Sequence, residues 1–538
     1  MYQAKRSIPM ILISLTLVIL TACGPVAAPG SSAPTDVPAS AENTLTIHSN
    51  IDDLITLDPA VVYEYSGILV VHNVYQTLVT FVGSDLQTIT PGLADSWDTK
   101  DAGDHWELTF KLHAGNKFAS GNAITADDVV YSFNRVVAIN GSPAFLFTDV
   151  AGITADNIAD SVKAVDPATV QINLPKTASP GAFLAVLTNT VAGVVDSKVV
   201  KENEGSDNGA TWLLDHSAGS GPYVVDHWTK DVEVLLNANP NYGGAKPALN
   251  SVLVRHVPES VNQLTELQRG DADIALNLTA EKLATLSGDS ASLKGADMRL
   301  FYLGMNVAVE PLNKVEVREA MRMAIDYDGI VNDLLSGNAQ KVQTVIPYPM
   351  FGFNGDTPFQ KDVAGAKALL EKAGASGVEL EMLIPEGAAP GGVQWSDLGA
   401  KLQADWSEIG VTVNIKQESF AELLKSYRAQ QAQLALLYWG PDFADPDTNV
   451  TPFTSYAAKS IAWRNSWDDP IATKSHDAAL MTDATERAAA YKEITDYVLH
   501  NGPYAILYQP AALFGIRSNV KGFEWNAMGF ADFWSISK

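Results

Sequence analysis

Trp106-Glu107-Leu108-Thr109-Phe110-Lys111-Leu112-His113-Ala114-Gly115-Asn116-Lys117-Phe118, running on to Ser120-Gly121-Asn122-Ala123-Ile124-Thr125-Ala126-Asp127-Asp128-Val129, places a strand and a helix start back to back. Leu108, Phe110 and Leu112 alternate with Glu107, Thr109 and Lys111, the pattern of a half-buried strand over His105–Leu112. Thr125 precedes two acidic residues and then Val129 and Val130, so it suits a helix N-cap with carboxylates in the first turn. Further strands are expected at Thr44–His48, Thr169–Leu174, Val232–Asn237, Ser251–Val257 and Leu434–Trp439. Apolar residues recur at helical spacing in Val315–Ile325, Val363–Ala373, Ser396–Ile409 and Thr485–Leu499. Strands and helices mixed without strict alternation indicate α/β or α+β layers, and no internal repeat is present.

The chain has one cysteine in 538 residues, Cys23. Lys5 and Arg6, the apolar run Ile8–Leu20 and then Leu20-Thr21-Ala22-Cys23 resemble a bacterial lipoprotein signal with its lipobox. The resemblance implies cleavage before Cys23 and diacylglycerol on its sulfur, two chains that suffice for stable anchoring. Residues 23–43, rich in Pro, Ala and Ser, lack the large apolar residues needed to fold and are expected to form a flexible tether. Without residues 1–22 the chain still exceeds 500 residues, enough for about three domains at ~150 each. Hydrophobic residues make up 46%, so a large core is available. A net charge of -26 repels phosphate backbones and argues against a nucleic-acid partner.

Pro91-Gly92-Leu93-Ala94-Asp95-Ser96-Trp97 together with the 106–129 stretch resembles the signature of the family 5 extracellular solute-binding proteins. These are the oligopeptide- and dipeptide-binding receptors of ABC importers. Further blocks follow in the family's order: Leu57-Asp58-Pro59, Gly219–Tyr223, Leu267–Ile274, Val317-Arg318-Glu319-Ala320, Ala366–Leu370 and Tyr438–Asp447. The resemblance covers Thr44–Lys538. It implies an α/β, two-lobed periplasmic-binding-protein-like fold (type II, cluster C) with an extra subdomain inserted in the first lobe. Lobe one would comprise 44–75, 219–305 and 503–538, the insert 76–218 and lobe two 306–502, with three chain crossings as hinge strands. It also implies a lipid-anchored monomer at the outer face of the cytoplasmic membrane or in the periplasm. That monomer would hand its ligand to permease subunits with their ATPases, and no cofactor or metal is expected.

By the same resemblance, Asp442 pairs with a peptide's α-ammonium, a group that needs a charge-assisted partner once desolvated. Trp439 lies just before it, and Asp445 and Asp447 are expected to build an Asp-Pro turn. Tyr63, Glu64 and Tyr65 stand where relatives let an extended peptide run along the cleft, and Gly219, Ser220 and Gly221 could offer backbone groups to it. Tyr508 is a further candidate near a lobe crossing. Gly219-Ser220-Gly221 lacks the Lys-Ser/Thr end of a P-loop. The family's dipeptide receptors carry an Arg before a lobe-two helix, whereas Pro385–Gly392 holds no basic residue and Trp395 follows. That departure favours a longer peptide, since a bidentate Arg–carboxylate clamp is hard to replace. An oligosaccharide stacked on Trp395, Trp439, Trp463 or Trp467 is the alternative, ahead of nickel or haem. An enzyme is disfavoured by the absence of a Gly-x-Ser-x-Gly elbow and a His-Glu-x-x-His motif.

Overall fold

A computed structural model describes residues 43–538. The expected signal peptide, the Cys23 anchor and the tether up to residue 42 lie outside the described residues. Among the described residues one mixed sheet of twelve strands runs through both lobes. Its spatial order is Thr412–Glu418, Glu379–Pro385, Leu434–Trp439, Leu300–Met305, Tyr504–Arg517, Ile274–Ala275, Thr44–Ser49, Ser251–His256, Glu233–Ala238 and Tyr223–Thr229. Ser290–Ala296 and Ala339–Gln340 also pair with Tyr504–Arg517.

The long strand Tyr504–Arg517 joins the lobes. Its first part pairs with Leu300–Met305 (Phe301 opposite Tyr508), and its second with Ser290–Ala296 (Ala296 opposite Ala511). The handover falls at Pro510, which has no N–H to give to a ladder. Among the described residues only two stretches therefore pass between the lobes, Ala296–Leu300 and Tyr508–Ala511, side by side and antiparallel. The expectation of three crossings is corrected: each remaining lobe-one segment stays within its own part of the sheet.

The 94–175 region builds a separate antiparallel sheet, ordered Ala94–Asp101, His105–Leu112, Thr169–Pro175 and Val162–Asp166. Leu108, Phe110 and Leu112 are buried, as the alternation requires, against Val129, Phe133 and Val136 of the helix Ala126–Ile139. The N–H of Thr125 donates to the Asp128 carboxylate at 2.8 Å, which closes the helix start. Arg135 on that helix makes a buried bidentate pair with Asp58, at 3.1 and 2.7 Å. The Leu57-Asp58-Pro59 block therefore fastens this sheet to lobe one. Helix ends differ from expectation by a residue or two; Trp395–Ser407 stops before Gly410, whose φ of +82° suits only glycine well. The turn expected at Asp445–Asp447 instead opens the helix Asp447–Thr454, with the Asp445 carboxylate accepting the Asp447 N–H at 3.0 Å.

Candidate functional site

Three chain segments converge where the lobes meet. The helix Tyr65–Val74 brings Tyr63 and Tyr65 from lobe one, the strand Leu434–Trp439 delivers Gly440-Pro441-Asp442 from lobe two, and Asp297–Arg299 lies on a crossing. Tyr63 Oη donates to Asp442 Oδ1 at 2.5 Å, while the Tyr63 ring stands edge-on to Phe145 at 5.9 Å. The Asp442 N–H donates to Thr448 Oγ1 at 3.3 Å. No cation faces the Asp442 carboxylate among the described residues, so burial raises its pKa and the Tyr63 hydroxyl only partly offsets that. Burial first, then the bond to Asp442, raises the Tyr63 phenol as well.

Tyr63, Tyr65, Arg299 and Asp442 line a cavity of about 150 Å³. Tyr65, 63% exposed, Asp297 and Arg299 also line a second cavity of about 560 Å³, so the two form one cleft. Arg299 Nε donates to both Asp297 oxygens at 2.9 Å, and its N–H to Asp297 Oδ1 at 3.0 Å. Burial works against the Arg299 charge, but its bonds and attraction to Asp297 outweigh it and raise the pKa. Gly391 and Gly392 reach the larger cavity with φ of +89° and +91°. A Cβ on Gly392 would meet nothing within 4 Å, so the loop lacking an Arg presents bare backbone there.

Several expected contacts lie elsewhere. Trp395 is 2% exposed and packs on Phe301 (5.4 Å) and Tyr438 (6.5 Å), because the first residue of its helix faces the lobe-two core. Tyr508 is fully buried and stacked on Phe301 at 4.5 Å, a core position in the hinge strand. A Cβ on Gly219 would sit 2.0 Å from Val74 O, and one on Gly221 2.6 Å from Asn73 O. Gly221 N–H donates to Val74 O at 2.8 Å, and Ser220 is fully buried. This turn thus packs backbone on backbone and presents nothing to the cleft. Glu64 Oε2 accepts the N–H of Tyr63 at 3.1 Å and so shapes the loop that carries it. Trp439 donates through Nε1 to Thr448 O at 3.3 Å and lies edge-on to Phe453, supporting the Asp442 segment from behind. Asp445 makes a buried bidentate pair with Arg487, both contacts at 2.7 Å.

Asp297, Arg299 and Asp53 line the cleft without having stood out in the sequence. An Asp-x-Arg immediately before an apolar strand at a lobe crossing was the available signal. Among the described residues no group of three or more His, Cys, Asp or Glu could hold a metal ion, and no helix is long and apolar enough to cross a membrane.

Residues 88–460 match the model of the bacterial extracellular solute-binding proteins, family 5. The chain is 30% identical over 481 residues to the probable D,D-dipeptide-binding periplasmic protein of Escherichia coli (strain K12), covering 88% of this chain and 90% of that one. Its fold matches that of HbpA2 from Haemophilus parasuis with a TM-score of 0.82 at 24% identity, over 92% of this chain and 99% of the other. The periplasmic binding protein DppA from Helicobacter pylori, in complex with the peptide STSA, matches with a TM-score of 0.67 at 25% identity, over 92% and 97%.

Proposed function

The chain belongs to the family 5 bacterial extracellular solute-binding proteins, and from that premise we propose that it captures a short peptide between its lobes and delivers it to an ABC importer. The family is one of transport receptors rather than enzymes. The observation that carries the ligand assignment is Asp442, a partly desolvated carboxylate at the cleft whose only side-chain partner among the described residues is a neutral hydroxyl. An α-ammonium supplies the missing charge. Arg299 is already held by Asp297, and the 385–392 loop has no cation, so neither clamps the ligand's carboxylate. Main-chain contacts that accumulate with length then favour peptides longer than two residues.

Stacking of a sugar finds less support. Trp395 and Trp467 are buried, and the Trp463 ring is covered by Lys459 Nζ at 3.2 Å. The insert boundaries at 75/76 and 218/219, the monomeric state and anchoring through Cys23 belong to the same reading, while the lobe boundaries expected at 305/306 and 502/503 move to the crossings at 296–300 and 508–511. Calorimetric titration of a matched series from two to five residues beside an oligosaccharide panel tests it. Tri- and tetrapeptides should bind more tightly than dipeptides, and C-terminal amidation should change affinity by less than about 1 kcal/mol. A saturable sugar isotherm with no response to peptides would overturn the assignment.

A further inference from the structure

The central strand Tyr504–Arg517 is unpaired along part of one edge. Ser518 N–H donates to Asp289 O on the edge taken by Ser290–Ala296. On the opposite edge Ala511 N–H donates to Asn338 O, beside the lobe-two strand Ala339–Gln340. Arg517 N–H donates on that same edge to Asp273 O, beside the lobe-one strand Ile274–Ala275. The main-chain groups of an antiparallel strand turn to its two edges alternately, so those of Leu513 project where those of Ala511 and Arg517 do. Between Asn338 and Ala275 no strand among the described residues meets them. Ala511, Ala512, Leu513 and Phe514 all line the larger cavity of the cleft, about 560 Å³. Their side chains alternate between the faces of the sheet: Phe514 joins the core around Val254, and Leu513 packs with Leu267 and Leu278. A cavity that touches four successive residues lies along the strand's edge rather than over either face. Leu513 is itself partly exposed, so its N–H and carbonyl open into that space.

We infer that an extended peptide pairs here as a short strand, one of its residues accepting from Leu513 N–H and donating to Leu513 O, with apolar side chains set among Leu276, Leu278 and Trp525. This rests on the peptide reading above and adds where the ligand's main chain is held and which side chains it carries. Strand addition takes its affinity from main-chain bonds and its specificity from the pockets that receive alternate side chains. The open edge supplies the first, since an unpaired strand edge is a template for another strand. Leu276, Leu278 and Trp525, all lining the same cavity, supply the second. The peptide would complete one row of the sheet from Asn338 of lobe two to Ala275 of lobe one, and so bind the lobes to each other. Tyr65, Asp297 and Arg299 line both this cavity and the Asp442 pocket, so one ligand can reach both places.

The test uses the purified protein, the tetrapeptide Ala-Leu-Leu-Ala, its forms N-methylated at one internal amide each, and Ala-Ser-Ser-Ala. N-methylation removes a single main-chain donor and leaves the side chains alone. In calorimetric titration at least one N-methyl form should bind about tenfold or more weakly than the parent, the loss expected when a desolvated carbonyl goes unpaired. Ala-Ser-Ser-Ala should also bind about tenfold or more weakly, since it forgoes apolar burial. Hydrogen exchange read at single amides should slow about tenfold or more at Leu513 when Ala-Leu-Leu-Ala saturates the protein. An unchanged exchange rate at Leu513, or N-methyl forms all within about threefold of the parent, would overturn the pairing and leave the peptide reading standing. Ala-Ser-Ser-Ala binding as well as Ala-Leu-Leu-Ala would overturn the apolar selection. Failure of these peptides and of the whole length series to bind would instead overturn the peptide reading itself, and this inference with it.

Discussion

Asp442 carries opposite consequences for binding and for stability. Its pKa is raised by burial, so in the free protein it takes up a proton at a higher pH than an ordinary carboxylate. Peptide affinity should therefore fall as pH drops through that raised value, above the usual carboxylate range. In Tyr63→Phe, which loses the one bond that lowers this pKa, the fall should begin at a higher pH still. For folding the sign is reversed. A raised carboxylate pKa adds nothing unfavourable below its unfolded value and destabilises progressively as pH rises to its folded value. At neutral pH, Asp442→Asn should thus raise the melting temperature of the unliganded protein. The same substitution should cost about 2–5 kcal/mol in affinity for peptides with a free N-terminus. Calorimetry and thermal melts across pH check both arms; an unchanged pH profile in Asp442→Asn would remove its role. The place of Asp442 at the cleft was legible because a family block contains it and an apolar strand delivers it. Trp395 was misassigned because an aromatic residue at a helix start can face cleft or core, and the sequence does not carry that rotation. Asp53 was missed because a single acid in a loop has no pattern.

At the scale of elements, alternation located His105–Leu112 to the residue, and an unbroken apolar run did the same for Leu434–Trp439, which is buried on both faces over most of its length. Helices were placed well along their length and less well at their ends, which depend on caps rather than on periodicity. The Gly219-Ser220-Gly221 turn shows why a glycine pair is ambiguous in sequence: it permits close approach, and the approaching group here is the backbone of Val74 rather than a ligand. Gly219→Ala should accordingly destabilise the fold by about 1–3 kcal/mol, as overpacking does. The folded fraction should keep its peptide affinity. Denaturant melts together with titration of the variant decide this, and a loss of affinity at unchanged stability would restore a ligand role for the turn.

At the scale of the whole molecule, the two-lobed plan was recognisable from a series of ordered blocks, but the number of crossings was not, because pairing partners are set by tertiary contacts. The proposed anchor, Cys23, lies in a part of the chain outside the described residues. Cys23→Ala should leave it unacylated and shift it from the membrane fraction to the soluble or unprocessed pool, as fractionation with mass spectrometry would reveal. Recovery of acylated protein from that variant would refute the anchor. The strand Tyr504–Arg517 has a consequence for the order of synthesis. It lies within the last 35 residues, yet it sits at the centre of the shared sheet and touches strands of both lobes. A nascent chain stopped short of it has Leu300–Met305 and Ser290–Ala296 each missing a neighbour. Completion of the shared sheet therefore waits for a segment made long after Leu300–Met305, so the two lobes acquire their central pairing together.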